Sequence, residues 1–364
     1  MIRCSMRGLL AGIGIFASLA TAKADAKPVG EMHRVTSVPT AGLRDAESRT
    51  ELRVTIWYPA AADTTERDVA IGPPGKPLFD VGRAAPDAAL APDGGRRPVI
   101  LLSHGYGGSA RMMGWFGIAM ARDGYIVVAV DHPGSNSNDQ MTVAATVLWW
   151  DRVDDLRAAL QAAEQDPSIG PRMDLSYVAV AGFSAGGATA LVAAGARVDS
   201  VHFAAFCLAN PDDGVCRPQL EFAVTPADQT NLLKRPEMQA EADNANADHA
   251  IPEVRAAFVM APALVQALEP ASLGRMRTPV EIILGDADTV APPATNGAIA
   301  AKSIPNASLI QLHAVGHYDF LATCTQSGRA IVPPCKTSVP QDDTHRRAIE
   351  AARAFFRRQL GTAR

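Results

Sequence analysis

The residues of this sequence that are best suited to chemistry lie around Ser184. Residues 182–187 read Gly-Phe-Ser-Ala-Gly-Gly, directly after the apolar run Tyr-Val-Ala-Val-Ala and before a helical stretch. In that setting a G-x-S-x-G motif forms a strained strand-to-helix turn, which raises the serine hydroxyl clear of a sheet. A glycine-rich turn with an idle serine is the alternative, but the strand–turn–helix context predicts that Ser184 is a nucleophile.

A histidine must follow Ser184 if the serine is to be activated. A serine hydroxyl becomes reactive when a base takes its proton, and hydrolases with this motif have the chain order serine, acid, histidine. His104 and His132 precede Ser184 and do not fit this order. Four histidines lie between Ser184 and the last helix: His202, His249, His313 and His317. His317, in the loop after the expected last strand, is the predicted base; His313 is its main rival and fits a structural role at the strand end.

The base needs a carboxylate that holds its tautomer and stabilises the imidazolium form. Residues 285–292 read Gly-Asp-Ala-Asp-Thr-Val-Ala-Pro and follow an apolar run, so they offer two candidates, Asp286 and Asp288. We predict Asp288, because an acid further into the loop can reach the histidine, whereas an acid at a strand end more often caps backbone. Asp212 and Asp213 are weaker alternatives.

Two backbone N–H groups are needed to hold the negative charge that develops on a carbonyl oxygen during acyl transfer. The residue after the nucleophile, Ala185, is predicted to supply one. Residues 103–108 read Ser-His-Gly-Tyr-Gly-Gly after the run Val-Ile-Leu-Leu, and Tyr106 in this loop is predicted to supply the other. The glycines alone would indicate only a turn; together with the Ser184 motif they indicate an oxyanion hole.

The elements that position these residues are predicted to alternate. Residues 51–57 alternate polar and apolar side chains, as a half-buried antiparallel strand does. Nearly continuous apolar runs predict buried parallel strands at 98–103, 125–131, 177–182, 254–261 and 280–285, and the last strand is expected at 308–312. Helical spacing occurs at 111–123, 150–164, 186–196, 343–360 and, with Asp199 or Ser200 as cap, at 201–208. The pattern predicts an α/β fold with a mostly parallel, doubly wound sheet and helices on both faces.

Two segments interrupt that pattern. Residues 59–97 are rich in Ala, Pro, Gly and Asp without a period, and we expect a long surface excursion there. Residues 217–250 are polar and of mixed charge, and either form a cap over the site or a surface loop. We expect one hydrolase domain over residues 27–364, with 217–250 as its possible insertion.

The first 26 residues resemble an export signal. Arg3 and Arg7 precede the apolar run Leu9–Ala20, and two A-x-A cleavage patterns follow at 22–24 and 24–26. The run is shorter than the ~20 residues of a spanning helix, although an uncleaved anchor is the alternative. Cleavage after residue 24 would remove three basic residues and no acid, which changes the net charge from −4 to −7. We therefore expect a periplasmic or extracellular protein that binds no nucleic acid and has no stable membrane insertion.

Four cysteines remain after the expected signal, and an oxidising compartment favours disulfides between them. Four cysteines allow three pairings. Sequence proximity favours Cys207–Cys216 and Cys324–Cys335, each of which closes a short loop. A zinc site is the alternative, but C-x-x-C spacing and nearby paired histidines are missing from the sequence.

Several motifs resemble those of one hydrolase group. They are Ser-His-Gly-Tyr-Gly-Gly at 103–108, Asp-Gly-Tyr-Ile-Val-Val-Ala-Val-Asp-His at 123–132, Gly-Phe-Ser-Ala-Gly-Gly at 182–187 and Gly-His-Tyr-Asp-Phe-Leu at 316–321. From about residue 50 to 360, the chain resembles a bacterial member of the platelet-activating-factor acetylhydrolase and dienelactone-hydrolase-like group of α/β-hydrolases. The resemblance implies hydrolysis of short acyl esters through an acyl-enzyme, without metal or cofactor. It also implies a triad of Ser184, an aspartate and His317.

The chain departs from that group at two positions. Dienelactone hydrolases have a cysteine where this chain has Ser184. In the acetylhydrolases the triad acid follows the strand after the nucleophile helix, but here residues 261–263 read Ala-Pro-Ala and hold no carboxylate. The acid is therefore expected one strand later, at Asp288.

The function expected from these observations is a secreted serine carboxylic-ester hydrolase that acts on small-molecule esters. Alternatives are a lipase, a phospholipase A2-like acetylhydrolase or a hydrolase of aromatic polyesters, which need an apolar groove. Candidate groove residues, which fit core or cap packing equally well, are Met112, Met113, Trp115, Trp149 and Trp150. A binding module that has lost catalysis is a remote alternative, because every triad position is filled.

Overall fold

The computed structural model describes residue 1 and residues 27–337 and 339–361. The predicted signal peptide, residues 1–26, lies almost wholly outside this part of the chain. The strands are β1 (Val29–Ser37), β2 (Glu51–Pro59), β3 (Arg67–Ile71), β4 (Phe79–Pro86), β5 (Arg97–Ser103), β6 (Ile126–Asp131), β7 (Met173–Phe183), β8 (Val254–Met260), β9 (Val280–Gly285), β10 (Ala307–Leu312) and β11 (Thr323–Cys324).

The helices lie mostly between strands, as the alternating pattern predicted. They are α1 (Ala41–Arg44), α2 (Gly114–Arg122), α3 (Val143–Val147), α4 (Arg152–Gln165), α5 (Ala185–Ala193), α6 (Ser200–Ala209), α7 (Pro226–Leu232), α8 (Pro236–Asp243), α9 (Pro270–Arg275), α10 (Gly297–Ser303), α11 (Gln326–Ile331) and α12 (Gln341–Leu360). Short 3₁₀ turns connect several of them, and one of these turns, His317–Phe320, carries the predicted base.

One sheet organises the described chain, in the order β10-β9-β8-β7-β5-β6-β2-β1-β4-β11, with β3 on β4. The strands from β10 to β6 in this order run parallel, while β2 is antiparallel to both β6 and β1. The predicted α/β-hydrolase architecture, a mostly parallel doubly wound sheet, is confirmed. In a parallel sheet the carboxyl ends of neighbouring strands lie at one edge, so the loops after β5, β7 and β9 meet there.

Both faces of the parallel strands are buried. In β5, Val99 and Leu101 pack into the core on one face with α4 and α5, whereas Ile100 and Leu102 pack into the core on the other face with α2 and α12. Side chains alternate across a strand, and both sets here are apolar because helices cover both faces. This explains why the sequence of β5 is continuously apolar.

The prediction for residues 59–97 was wrong. This segment contains β3 and β4, and β4 pairs with β1 and β11 at the edge of the sheet. Phe79 and Val81 alternate with exposed residues in β4, but Gly82, with a φ of 125°, and a register shift in β3 interrupt the alternation. The strand signal was therefore too short to separate from the surrounding turn residues. Strand β1 was also not predicted from the sequence.

The predicted helix at 201–208 is confirmed as α6, and Asp199 is its cap. The Asp199 carboxylate accepts a hydrogen bond of 2.8 Å from the His202 N–H. Both predicted disulfides, Cys207–Cys216 and Cys324–Cys335, are present. Within the described ranges, no helix is both long and apolar enough to cross a membrane.

Candidate active site

Ser184 lies at the turn between β7 and α5, in a strained backbone conformation. Its φ of 57° falls in the left-handed region, which a non-glycine residue occupies only where the surroundings enforce it. The turn is fixed by four hydrogen bonds: Ser184 N–H donates to the Met260 carbonyl, and the Ser184 carbonyl accepts from the N–H groups of Gly187, Ala188 and Ala263. The strand-to-helix turn that the motif predicted is therefore present.

The glycines of the motif allow a very close backbone approach. A Cβ atom on Gly182 would lie 2.0 Å from the Gly186 carbonyl oxygen. A Cβ atom on Gly186 would lie 2.2 Å from the Ser103 carbonyl oxygen at the end of β5. Both positions exclude a side chain, because these distances are far below van der Waals contact.

The structure brings Ser184, His317 and Asp288 into one hydrogen-bonded chain. Ser184 Oγ lies 2.8 Å from His317 Nε2, and His317 Nδ1 lies 2.7 Å from Asp288 Oδ2. A carboxylate only accepts, so Nδ1 carries the proton and Nε2 is free to accept from the Ser184 hydroxyl. All three side chains are buried. This arrangement can transfer the hydroxyl proton to the imidazole.

The two acids after β9 have separate partners. Asp288 uses its other oxygen, Oδ1, to accept from the N–H groups of Val290 and Ala291 at 2.9 and 2.8 Å. Asp286 instead lies 2.9 Å from His313 Nδ1. It also accepts from the Ala314 N–H at 2.7 Å, which caps the loop after β10. The hydrogen bond with His313 and the backbone bond lower the pKa of Asp286.

The other acids and histidines considered from the sequence lie elsewhere. Asp213 bonds the Val215 N–H and the Thr295 hydroxyl, and Asp212 forms an exposed ion pair with Arg217. His202 and His249 bond the carbonyls of Gln266 and Asn244. None of these four side chains is bonded to Ser184.

The two predicted oxyanion donors lie on either side of the serine. Ala185 is the first residue of α5, and Tyr106 follows β5 in the loop that lines the cavity beside Ser184. Within the described part of the chain neither N–H group has a hydrogen-bond acceptor. Unpaired N–H groups of buried backbone are uncommon, and at this position they are available to an oxygen of a bound substrate.

A network of buried, hydrogen-bonded side chains supports the loop that contains Tyr106. His132 Nδ1 lies 2.8 Å from Asp155, so its Nε2 accepts from the Ser103 hydroxyl at 2.9 Å. His104 Nε2 accepts from the His132 N–H at 3.1 Å, so its Nδ1 donates to the Gly105 carbonyl at 2.6 Å. Arg152 also donates to the His104 carbonyl. The two histidines excluded by chain order thus support the loop instead of acting on the serine.

The charges of this network follow from burial. Burial, with the nearby Arg152 charge, lowers the pKa of His104 to about 3 and that of His132 well below its usual value, so both rings are neutral. Burial alone would raise the pKa of Asp155, but the charge and hydrogen bonds of Arg44 hold that pKa well below its usual range. Arg44, Arg152 and Asp155 were not predicted from the sequence. Arg152 and Asp155 lie on the buried face of α4, where charged side chains are rare without partners.

The cavity beside Ser184 is small, about 30 Å³. Typical ligand pockets reach ~300–1,000 Å³. Its walls include the loop of Tyr106, His317, Tyr318 and, from the segment after the first disulfide, Gln219 and Glu221. A larger cavity of about 650 Å³ lies near the amino ends of β5, β7 and β8, at the opposite edge of the sheet from Ser184.

The candidate groove residues divide between the cavity and the core. Met112 and Met113 line the cavity. Trp115 is buried, stacks on His345 with ring centroids 3.9 Å apart, and donates to the Phe320 carbonyl. Trp149 and Trp150 pack in the core under the other face of the sheet. The sequence did not reveal that Glu221 reaches this cavity, because its segment has no period that would fix its position.

The described residues contain no group of three or more His, Cys, Asp or Glu side chains arranged to hold a metal ion.

Comparisons with known proteins agree with this architecture. The model of the family described as serine aminopeptidase, S33, matches residues 94–317, which is more than half of the chain. The chain therefore belongs to this family of hydrolases, within the α/β-hydrolase superfamily. The matched region begins before β5 and ends at His317, so it includes Ser184, Asp288, His317 and both predicted oxyanion donors.

A solved structure shares the fold over nearly the whole chain. It is a ferulic acid esterase from Streptomyces cinnamoneus, with a TM-score of 0.61 and 21% sequence identity over 93% of this chain and 92% of that one. At this identity the likeness shows the fold alone. No curated protein matches the chain.

Proposed function

We propose that the protein is a serine esterase that hydrolyses short acyl esters through an acyl-enzyme. His317 Nε2 takes the proton of Ser184 as Oγ attacks the ester carbonyl. The N–H groups of Ala185 and Tyr106 hold the resulting oxyanion. The imidazolium, held by Asp288, then returns its proton to the leaving alkoxide, so that the alcohol departs and an acyl-Ser184 ester remains.

Water completes the cycle. His317, neutral again, takes a proton from a water molecule that attacks the acyl carbonyl. The second tetrahedral intermediate collapses, the carboxylic acid leaves, and the proton returns to Ser184 Oγ. The reaction needs no other reactant than ester and water.

The observation that carries this proposal is the continuous hydrogen bonding from Asp288 through His317 to Ser184, at 2.7 and 2.8 Å. A purely structural serine at this position would not require a strained φ of 57° or the two glycines that permit it. The likeness to a ferulic acid esterase supports only the fold, so the proposal of ester chemistry rests on the site itself.

The small size of the cavity supports the proposed substrate class. A space of about 30 Å³ beside Ser184 favours a short acyl group over a long chain. The sequence resemblance to the platelet-activating-factor acetylhydrolase group supports the same class. Lipase or aromatic polyester hydrolase activity is less favoured, because Trp149 and Trp150 are in the core and do not line the cavity beside Ser184.

We also propose that the protein is exported and consists of one hydrolase domain over residues 27–364. Both disulfides support export, since such bonds persist in oxidising compartments. In the segment 217–250, α7 and α8 follow the cavity-lining residues Gln219 and Glu221, which supports a cap role for its first part.

Ester hydrolysis by Ser184→Ala tests the proposal. We expect kcat/KM for p-nitrophenyl acetate to fall at least about a thousandfold, because the nucleophile is lost. For the wild type we expect kcat/KM to be highest for acetate and butyrate esters and to decrease towards octanoate. Circular dichroism checks that the variant is folded. Full activity in the folded variant would contradict the proposal.

A further inference from the structure

Glu221 is held at the cavity by two separate contacts. Its Oε1 accepts a hydrogen bond of 3.0 Å from the Tyr318 hydroxyl, next to His317 in the chain. Its side chain also packs on Gly107 of the oxyanion loop, where a Cβ atom would lie 2.9 Å from Glu221 Cβ. Gly107 has a φ of 64°, so both its conformation and its lack of a side chain favour this contact. The carboxylate is thus positioned by the same loops that surround Ser184.

Glu221 gives the cavity a negative charge. It is the single carboxylate among the cavity-lining residues, and no lysine or arginine lines the cavity. Within the described ranges Glu221 forms no ion pair. The Asp288 carboxylate, bonded to His317, lies behind the site. A cationic group close to the exposed Glu221 carboxylate therefore meets an attractive potential, whereas an anionic group is repelled.

Two tyrosines line the same cavity. Tyr106 is fixed by hydrogen bonds of its hydroxyl with Thr146 and the Phe222 carbonyl, and Tyr318 by its bond to Glu221. Burial, followed by the nearby Glu221 charge, raises the pKa of Tyr318, so its hydroxyl stays protonated and continues to donate. Aromatic rings beside a carboxylate are the surroundings that quaternary ammonium groups prefer.

We propose that Glu221 makes the site select esters that carry a positive charge close to the scissile bond, such as a trimethylammonium group. This inference rests on the proposed esterase function. It assigns Glu221 a role in specificity, in which the carboxylate attracts the cationic part of the substrate and takes no part in bond making.

Pairs of esters that differ only in charge test the proposal. On the alcohol side the pair is acetylcholine and 3,3-dimethylbutyl acetate. On the acyl side it is the methyl ester of trimethylglycine and methyl 3,3-dimethylbutanoate. In each pair a cationic nitrogen replaces a neutral carbon of similar shape. The selectivity is the ratio of kcat/KM values within a pair, and dividing the wild-type ratio by a variant's ratio removes the intrinsic reactivity.

Three variants separate charge from shape. Glu221→Gln removes the charge, Glu221→Asp keeps it, and Glu350→Gln removes an exposed carboxylate of α12 that does not line the cavity. We expect Glu221→Gln to lower the selectivity about threefold in at least one pair, as is typical of a partly exposed charge. Glu221→Asp retains most of it, and Glu350→Gln leaves it unchanged. Added salt lowers the wild-type selectivity but not that of Glu221→Gln.

The outcomes distinguish this inference from the proposed function. If the wild type hydrolyses the neutral esters and Glu221→Gln leaves the selectivity of both pairs unchanged, the role of Glu221 is refuted and the esterase function stands. An equal loss in Glu350→Gln would likewise refute it, because the effect would then not come from the cavity. A wild type that hydrolyses none of the four esters would count against the esterase function itself.

Discussion

At the scale of single residues, two carboxylates of one short loop differ in burial and in their hydrogen-bond partners. Asp288 and Asp286 are separated by one residue, yet Asp288 is 4% exposed and bonded to His317. Asp286 faces an exposed histidine and a backbone N–H. A buried carboxylate that accepts from Nδ1 fixes the tautomer in which Nε2 can take a proton. The hydrogen-bond partner, more than the residue type, therefore separates the two proposed roles.

Paired substitutions test this distinction. We expect Asp288→Asn to lower kcat/KM for p-nitrophenyl acetate by about 10³- to 10⁴-fold, because the amide no longer holds the reactive tautomer or stabilises imidazolium. The matched Asp286→Asn variant should stay within about threefold of the wild type. Steady-state kinetics of both folded variants provide the measurement. Similar losses in the two variants, or a larger loss in Asp286→Asn, would show that the acid has been assigned incorrectly.

At the scale of elements, the turn between β7 and α5 depends on the absence of side chains. The Ser184 elbow is packed against the end of β5, and Gly186 contacts the Ser103 carbonyl so closely that no Cβ atom fits. The contact joins the nucleophile turn to the loop that carries Tyr106. The same close packing that shapes the site thus contributes to the stability of the sheet edge.

Two glycine-to-alanine variants test this packing. Gly186→Ala should lower the free energy of unfolding by about 2 kcal/mol or more, because the new Cβ atom would lie 2.2 Å from a backbone oxygen. Gly274→Ala, in α9, is the control: its nearest neighbour would be 4.0 Å away, so a gain of about 0.5–1 kcal/mol is expected. Urea unfolding gives both values. A Gly186→Ala protein as stable as the wild type would contradict the tight contact.

The elements also show how far the sequence could predict the fold. Strands buried on both faces, such as β5, were predicted nearly to their ends because their apolar runs are continuous. The strands β1, β3 and β4, near one end of the sheet, were not predicted, because their burial is mixed and β4 contains a glycine with positive φ. Their pairing depends on distant partners such as β11, which local patterns do not encode.

The candidate site was predicted in part for a similar reason. The residues 184, 288, 317, 185 and 106 lie on short motifs next to predicted strands, and the structure brings them to one edge of the sheet. Arg152 and Asp155 were not found, because their function depends on packing beneath the loop of Tyr106. Glu221 was not found, because the path of a segment without periodicity is set by its tertiary contacts.

At the scale of the whole molecule, buried histidines make the fold sensitive to acid. His345 stacks on Trp115 and bonds the Leu321 carbonyl, and burial lowers its pKa from 6.5 to about 4. Between these values the unfolded chain binds a proton that the folded His345 does not, so stability falls as the pH falls. His104, whose pKa is also lowered by burial, likewise reduces stability as the pH falls. Burial raises the pKa of Asp151 to about 8, so the folded Asp151 binds a proton that the unfolded chain does not. Its contribution to stability therefore increases as the pH falls and offsets the loss from one histidine.

The pH dependence of unfolding tests this account. Replacing His345 by Gln should make the loss of stability between pH 7 and pH 5 smaller by about 2 kcal/mol, because one proton no longer distinguishes the two states. Arg346→Gln, at the neighbouring and exposed position of α12, is the control: arginine does not titrate between pH 7 and pH 5, so this variant should leave the loss unchanged. Urea unfolding at several pH values provides the data. An unchanged acid dependence in His345→Gln would show that this histidine is not buried in its neutral form.

The central claim is that Ser184 is an activated nucleophile. The most direct measurement is labelling of the native protein with a fluorophosphonate, followed by mass spectrometry of its peptides. The account predicts one adduct per chain, on Ser184, and no adduct after denaturation, because an isolated serine is unreactive. No adduct in the native protein, or an adduct on another residue, would contradict it.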